Sequence, residues 1–212
     1  VSWLIAMAAA FDLDSALALL LRDSGIAHTV KFGGMLTTAA KFPGYFWFPL
    51  CISIALLFFH PLHWRASAFM LLCALVGGTN AIVKWLVGRY RPFKLPPYDL
   101  LQPFRLHPFN GGLIGLFHQA GDLSFVSGHT ALAFSTAAGM VMLFPKTRFP
   151  KSGGIVYLMY VIAFIVLLER VGENAHWLSD AVCGAALGVW GVALLRALLA
   201  KYCRNLLTPV NA

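Results

Sequence analysis

Glu169 through Asp180 reads Glu-Arg-Val-Gly-Glu-Asn-Ala-His-Trp-Leu-Ser-Asp, a polar island between two apolar runs. His176 and Asp180 stand in i and i+4 positions, so a helix beginning near His176 would put imidazole and carboxylate on one face. A carboxylate there can hold one ring nitrogen and leave the other with its lone pair exposed. That is the orienting partner a nucleophilic or basic histidine needs. The same two residues could equally be polar groups lodged at a membrane interface.

Two further islands add to the first. Lys84 and Arg91 are two helical turns apart and could aim two cations at one point if the helix continues that far; as basic residues at a helix end they could also snorkel to lipid head groups. Ser127-Gly128-His129 opens an apolar run. A serine can cap the helix, the glycine lets an anion reach the backbone, and free N–H groups with the helix dipole favour a phosphate there. Taken together, Lys84, Arg91 and Arg170 as anion clamps, a helix N-terminus at Ser127, two histidines and one aspartate are equipment for phosphoryl transfer through a covalent phosphohistidine. No cluster of carboxylates is available to hold magnesium, so no metal and no cofactor is expected.

The elements that must position these groups are membrane helices. Hydrophobic residues make up 59% of the 212-residue chain and charged residues 11%, and the mean hydropathy is +0.76, far outside the soluble average. The expected fold is therefore all-α: a single polytopic membrane bundle of six transmembrane helices over residues 1–212, with the chemistry confined to 84–180. The formal charge of +8 would suggest nucleic acid on a soluble protein; on this one its placement points to the bilayer as partner, with no nucleic acid. Cys51, Cys73, Cys183 and Cys203 have no paired spacing and look like packing residues.

Val1 to Ala10 is too short to span and reads as the end of a first, partial helix of a longer chain, with no cleavable signal. Phe11 to Lys41 mixes Asp12, Asp14, Arg22, Asp23, Lys31 and Lys41 with apolar residues, which fits an interfacial amphipathic segment. Further spans are expected over Phe42–His60, Ala66–Leu86, Ser127–Phe144, Gly154–Leu168 and His176–Leu199, with Pro92 marking the end of the third helix. Gly184, Gly188 and Gly191 recur on the last helix as close-packing positions. Phe93 to Val126 is the one long connection, and Leu113, Ile114, Leu116 and Phe117 suggest that it dips into the interface.

Alternate loops face opposite compartments. Arg65, Lys146, Arg148, Lys151, Arg196, Lys201 and Arg204 fall on one side with no acidic residue, and all eight acidic residues fall on the other. The positive-inside rule makes the purely basic side cytoplasmic and brings the three polar islands together at the outer face, the periplasmic side of a bacterial inner membrane.

On these residues the chain resembles the type-2 phosphatidate phosphatase and vanadium haloperoxidase superfamily. Its three signatures, Lys-x6-Arg-Pro, Pro-Ser-Gly-His and Ser-Arg-x5-His-x3-Asp, correspond here to Lys84 through Pro92, Val126-Ser127-Gly128-His129, and Glu169-Arg170 through His176 to Asp180. The resemblance implies a six-helix core and metal-independent hydrolysis of a lipid phosphate or polyprenyl diphosphate. It further implies His176 as nucleophile oriented by Asp180, His129 as general acid, and Lys84, Arg91, Ser127, Gly128 and Arg170 around the phosphate. Val126 replaces the usual proline and Glu169 the usual serine. The vanadate-dependent branch is not built from membrane spans, which leaves the lipid phosphatase branch. A lipid phosphotransferase, or a membrane protein or transporter that recognises phosphate without turnover, would carry the same clamp. Oligomeric state has no signature in the chain.

Overall fold

The computed structural model describes residues 2–31, 34–109, 112, 114, 123–144 and 153–202. Their helices are α1 (Ser2–Asp23), α2 (Ile26–Lys31), α3 (Met35–Lys41), α4 (Trp47–Phe59), α5 (Trp64–Gly78), α6 (Asn80–Val87), α7 (Gly128–Leu143), α8 (Gly153–Gly172) and α9 (Leu178–Tyr202). Short 3-10 turns cover Phe42–Gly44, Pro92–Lys94 and Pro97–Leu101. The described residues are helical throughout their regular structure, as the composition requires.

Four helices are long and apolar enough to cross a membrane: Ser2–Asp23, Trp64–Val87 (α5 and α6 together), Gly153–Gly172 and Leu178–Tyr202. Met35–Gly44 and Trp47–Phe59 form a pair bent by 62°, a fifth span if the two count as one. The bend sits where Pro43 and Gly44 interrupt the helical ladder. Apolar α7 has 16 residues, short of the roughly 20 that a hydrocarbon core demands.

α7 is the centre of the bundle, and α5, α8 and α9 pack around it. Its small residues Ala131, Ala133, Ala137 and Ala138 are buried on several sides, which lets neighbouring backbones come close, the main source of packing energy where lipid is as apolar as the side chains. Gly184 and Gly188 of α9 serve the same contact. A β-carbon on Gly184 would lie 2.6 Å from the Ser127 carbonyl, and one on Gly188 would lie 2.6 Å from that of Ala131. The glycines are packing residues, as their spacing suggests. Cys51, Cys73 and Cys183 are free thiols.

Two expectations are corrected. The chain does not divide after Ala10 into a partial span and an interfacial segment: α1 is one helix through Asp23. Asp14 misled the reading, because its carboxylate is buried against Arg89 and Ser179 rather than set at an interface. Pro92 does not end the third span either. α6 stops at Val87, with Gly88 taking the left-handed conformation (φ 65°) that an L side chain resists. Leu113, Leu116, Phe117, Lys146, Arg148, Lys151, Cys203 and Arg204 lie outside the described residues.

Candidate active site

The end of α6, the start of α7, the end of α8 and the start of α9 meet at one end of the bundle, and each carries part of one polar cluster. α9 begins at Leu178, two residues later than the i, i+4 argument assumed, so Asp180 belongs to its first turn. There Asp180 Oδ2 accepts the Trp177 N–H at 3.0 Å, which is half of a capping box and favours a carboxylate at that position. Asp180 and His176 are both fully buried.

The imidazole reaches the carboxylate through a serine. His176 Nδ1 is 3.7 Å from Asp180 Oδ2, too far for a hydrogen bond. Ser124 Oγ lies 3.3 Å from that nitrogen and hydrogen-bonds to the same carboxylate oxygen. A serine hydroxyl has one proton. Donated to the carboxylate, it leaves Oγ as acceptor toward the ring, so Nδ1 carries the hydrogen and Nε2 the lone pair. Nε2 of His176 is buried and has no hydrogen-bond partner among the described residues. Burial, joined by the Lys84, Arg91 and Arg170 cations, holds the imidazole well below the ordinary histidine pKa, so it is neutral near pH 7.

Asp180 is fixed from behind as well. Arg89 Nη1 donates to Asp180 Oδ1 at 2.7 Å and to Ser179 Oγ at 2.7 Å, and its Nη2 donates to Asp14 Oδ2 at 2.6 Å. The Ser124 N–H donates to the Arg89 carbonyl at 2.6 Å, which ties the strand-like segment before α7 to the one after α6.

Lys84, Arg91 and Arg170 all lie close enough to His176 and His129 to act on their charge. Arg91 does not share a helix with Lys84: it is extended (φ −72°, ψ 142°) beyond the Gly88 turn. Its flanks are pinned to the α8–α9 loop instead, through the Trp177 indole N–H to the Tyr90 carbonyl at 2.9 Å and the Phe93 N–H to the Asn174 carbonyl at 3.2 Å. Lys84, Arg91, Gly128 and His129 line a cavity of about 320 Å³ together with apolar Ala74, Gly77 and Leu132. Its wall thus combines cations with apolar side chains, which suits a phosphate carried on a lipid.

Ser127 occupies the N-cap position of α7, yet its hydroxyl makes no cap hydrogen bond and pairs with the Thr130 hydroxyl at 2.9 Å. Gly128 is needed for fit, since a β-carbon there would lie 2.6 Å from Asn80 Oδ1. His129 has its ring edge-on to Tyr45 at 4.8 Å, and its buried Nε2 has no hydrogen-bond partner among the described residues. Arg170 is bracketed by acids: its Nε is 3.1 Å from Glu169 Oε2, and its Nη2 pairs with Glu173. Lys41 of α3 completes that group, 3.4 Å from Glu169 and 2.9 Å from Glu173. The departure at Glu169 therefore comes with two cationic neighbours. Among the described residues no group of three or more His, Cys, Asp or Glu side chains is placed to hold a metal ion.

All eight residues singled out from the sequence fall at this end of the bundle. Asp14, Lys41, Arg89, Ser124 and Glu173 were missed. Asp14, Lys41, Arg89 and Ser124 are joined to the cluster across long stretches of chain, which no local spacing reveals, whereas Glu173 was signalled by its i, i+3 spacing from Arg170.

The PAP2 superfamily model matches residues 63–203, and the chain belongs to that superfamily. A lipid A 1-phosphatase of Rhizobium johnstonii is 30% identical over 138 residues, 65% of this chain and 49% of that protein. A probable lipid phosphate phosphatase 4 of Arabidopsis thaliana is 25% identical over 158 residues, 67% and 51% of the two chains. The chain thus spans about half the length of these curated relatives. The crystal structure of a transmembrane PAP2-type phosphatidylglycerolphosphate phosphatase from Bacillus subtilis shares the fold, with a TM-score of 0.57 at 23% identity over 94% of this chain and 93% of that one.

Proposed function

We propose that this protein is an integral-membrane phosphatase that hydrolyses a lipid phosphate through a phosphohistidine at His176, without a metal ion. The observation that carries the reading is the proton count at Ser124, which leaves the His176 Nε2 lone pair unengaged among the described residues and next to three cations. Supporting it are the superfamily match and the relatives' names, which place a lipid phosphate among the substrates to test.

In this reading Lys84, Arg91, Arg170 and the α7 N-terminus hold the phosphoryl oxygens and offset the charge that builds on them in the transition state. His176 Nε2 donates its electron pair to phosphorus while the bond from phosphorus to the leaving oxygen breaks. That oxygen takes the bond's electrons and a proton from His129, which enters the step as imidazolium, its extra proton taken up from solvent or from the attacking water of the previous turnover. The Nδ1–H of the now positive imidazole stays on Ser124 Oγ, and Asp180 stabilises the charge through that hydroxyl. Water then attacks phosphorus and loses a proton to His129. The N–P bond breaks with its electrons returning to Nε2, and inorganic phosphate departs. The acyl or prenyl tail remains in the bilayer.

The proposal extends to topology: six crossings, made by the four long helices, the bent Met35–Phe59 pair and α7, with the site on the periplasmic side of a bacterial inner membrane. The test is release of inorganic phosphate from phosphatidate, phosphatidylglycerophosphate, undecaprenyl diphosphate and lipid A by the purified chain in EDTA, with and without vanadate. Turnover in chelator, blocked by vanadate as a five-coordinate mimic, is expected. Activity lost in EDTA and restored by magnesium would overturn the metal-free mechanism, and label appearing in an acceptor lipid instead of phosphate would replace hydrolysis with phosphotransfer.

A further inference from the structure

Behind the nucleophile lies a buried ionic group that the mechanism above does not use. Asp14 of α1 and Arg89 are each 1% exposed. Besides its bonds to Asp180, Ser179 and Asp14, the Arg89 guanidinium donates from Nε to the Pro103 carbonyl at 2.6 Å. The Trp177 and Phe104 rings lie 4.7 and 5.1 Å from its central carbon. Asp14 is held equally firmly: Oδ1 accepts the Ser179 N–H at 2.9 Å, and Oδ2 accepts the Ser179 hydroxyl at 2.5 Å. One cation thus stands between two carboxylates.

That balance decides what Asp180 can do. With both carboxylates ionised the three groups carry one net negative charge, and Asp180 is the member whose second oxygen points to Ser124 and, through it, to His176. If Arg89 faced Asp180 alone, its charge would cancel the carboxylate at the moment His176 becomes positive. If Asp14 and Asp180 shared the pocket without Arg89, one of them would take a proton, as like charges at short range do. A pair built only to fasten α1 to the bundle would have no need of Asp180.

We propose that Asp14 and Arg89 are positioning residues for the reaction: Arg89 clamps Oδ1 of Asp180 so that Oδ2 faces Ser124, and Asp14 offsets the Arg89 charge so that the buried group as a whole stays negative toward His176. The proposal rests on reading His176 as the nucleophile of a phosphatase. It makes the N-terminal helix part of the catalytic apparatus, although the superfamily match begins only at residue 63.

The test compares the full chain in lipid nanodiscs with Asp14→Asn, Asp14→Glu and the double variant Asp14→Asn/Arg89→Gln, on a lipid phosphate and on an aryl phosphate. Asp14→Asn should lower kcat on the order of 10- to 100-fold, the usual effect of losing a partner of a site residue, with KM and vanadate inhibition within roughly 2-fold. Asp14→Glu should recover most of the loss. The double variant, whose net charge equals that of the parent, should turn over faster than Asp14→Asn. A plain structural staple predicts the reverse, with the double variant no better and every loss following the melting temperature. That pattern, or an Asp14→Asn enzyme with parental kcat, overturns the proposal. If Asp14→Asn does not fold, Ser179→Ala keeps both ions while loosening Asp14; a loss in kcat of roughly 3- to 10-fold at constant KM is expected, and parental kcat counts against the pair. Absence of turnover in the parent chain on every phosphate would instead remove the phosphatase reading, and the role of the pair with it.

Discussion

The two histidines of the site live in opposite kinds of surroundings. His176 sits at the head of a chain of hydrogen bonds that runs through Ser124 to Asp180 and on to Arg89 and Asp14, every member buried. His129 is half-buried at the wall of the cavity, with the Tyr45 ring against its face and a β-carbon's worth of space missing at Gly44, which packs directly onto it. The difference teaches how surroundings could assign one residue type the two jobs that the proposed mechanism requires. In the proposed mechanism an imidazole wired to a carboxylate has its tautomer decided in advance and offers a lone pair, whereas an imidazole whose Nε2 has no hydrogen-bond partner among the described residues is left to exchange a proton with what enters the cavity.

The sharpest way to break the comparison is to remove each ring in turn. His176→Ala should abolish a trapped phosphoenzyme and lower kcat by on the order of a thousandfold or more on every substrate, as loss of a nucleophile in a cooperating set does. His129→Ala should cost on the order of a hundredfold on a lipid phosphate and much less on an aryl phosphate, whose leaving group departs with little help from an acid. Rapid-quench kinetics on both substrates measures the two ratios. Aryl phosphate rescuing His176→Ala and not His129→Ala would exchange the roles.

A finer cut falls on Ser124, which exists in this argument only because the structure puts it between ring and carboxylate. Ser124→Ala leaves Asp180 near the ring at a separation of 3.7 Å, so the tautomer keeps its bias while the bridging hydroxyl is lost. The expected loss in kcat is roughly 10-fold, about 1.4 kcal/mol, with KM little changed. A loss as large as that of His176→Ala would mean that Asp180 acts solely through Ser124. Parental kcat would mean that the direct contact suffices.

The eight site residues were legible because each stands in a short, ordered pattern of residue types, and helical periodicity with the alternation of membrane loops carries such patterns to a common face. Lys84 and Arg91 show the limit of that reasoning: its condition, a helix continuing through both, fails because Gly88 breaks the helix, and the segment carrying Arg91 is held by the α8–α9 loop. Asp14, Arg89 and Ser124 were illegible for a physical reason. Asp14 was taken as the mark of an interface, whereas an acidic residue inside an apolar run usually faces a partner in the bundle interior, and only the approach of α1 to α9 brings it to Ser179, 165 positions away in the chain. The same carboxylate made α1 read as two elements. Partner choice among buried ions is a property of helix packing, which spacing along one chain does not encode.

The remaining contrast concerns pH and stability, and it probes the same pair from the side of the folded state. Burial and the Lys84, Arg91 and Arg170 cations lower the pKa of His176, while His129 faces it from α7 and Asp180 from α9. In the unfolded chain a histidine titrates near 6.5. Between the folded and unfolded values the unfolded state binds more protons, so this residue's contribution to stability is full above about pH 6.5 and falls as the pH drops below it. The slope from one such group is at most about 1.4 kcal/mol per pH unit. His176→Gln lacks that term. The melting temperature of the parent minus that of His176→Gln, measured in detergent without phosphate, should therefore decrease from pH 7 to pH 5, while other titrating groups cancel in the difference. A difference that stays constant across that range would show that the imidazole accepts a proton as easily in the fold as outside it. That result would contradict a neutral, desolvated ring beside three cations and remove the physical basis for contrasting His176 with His129.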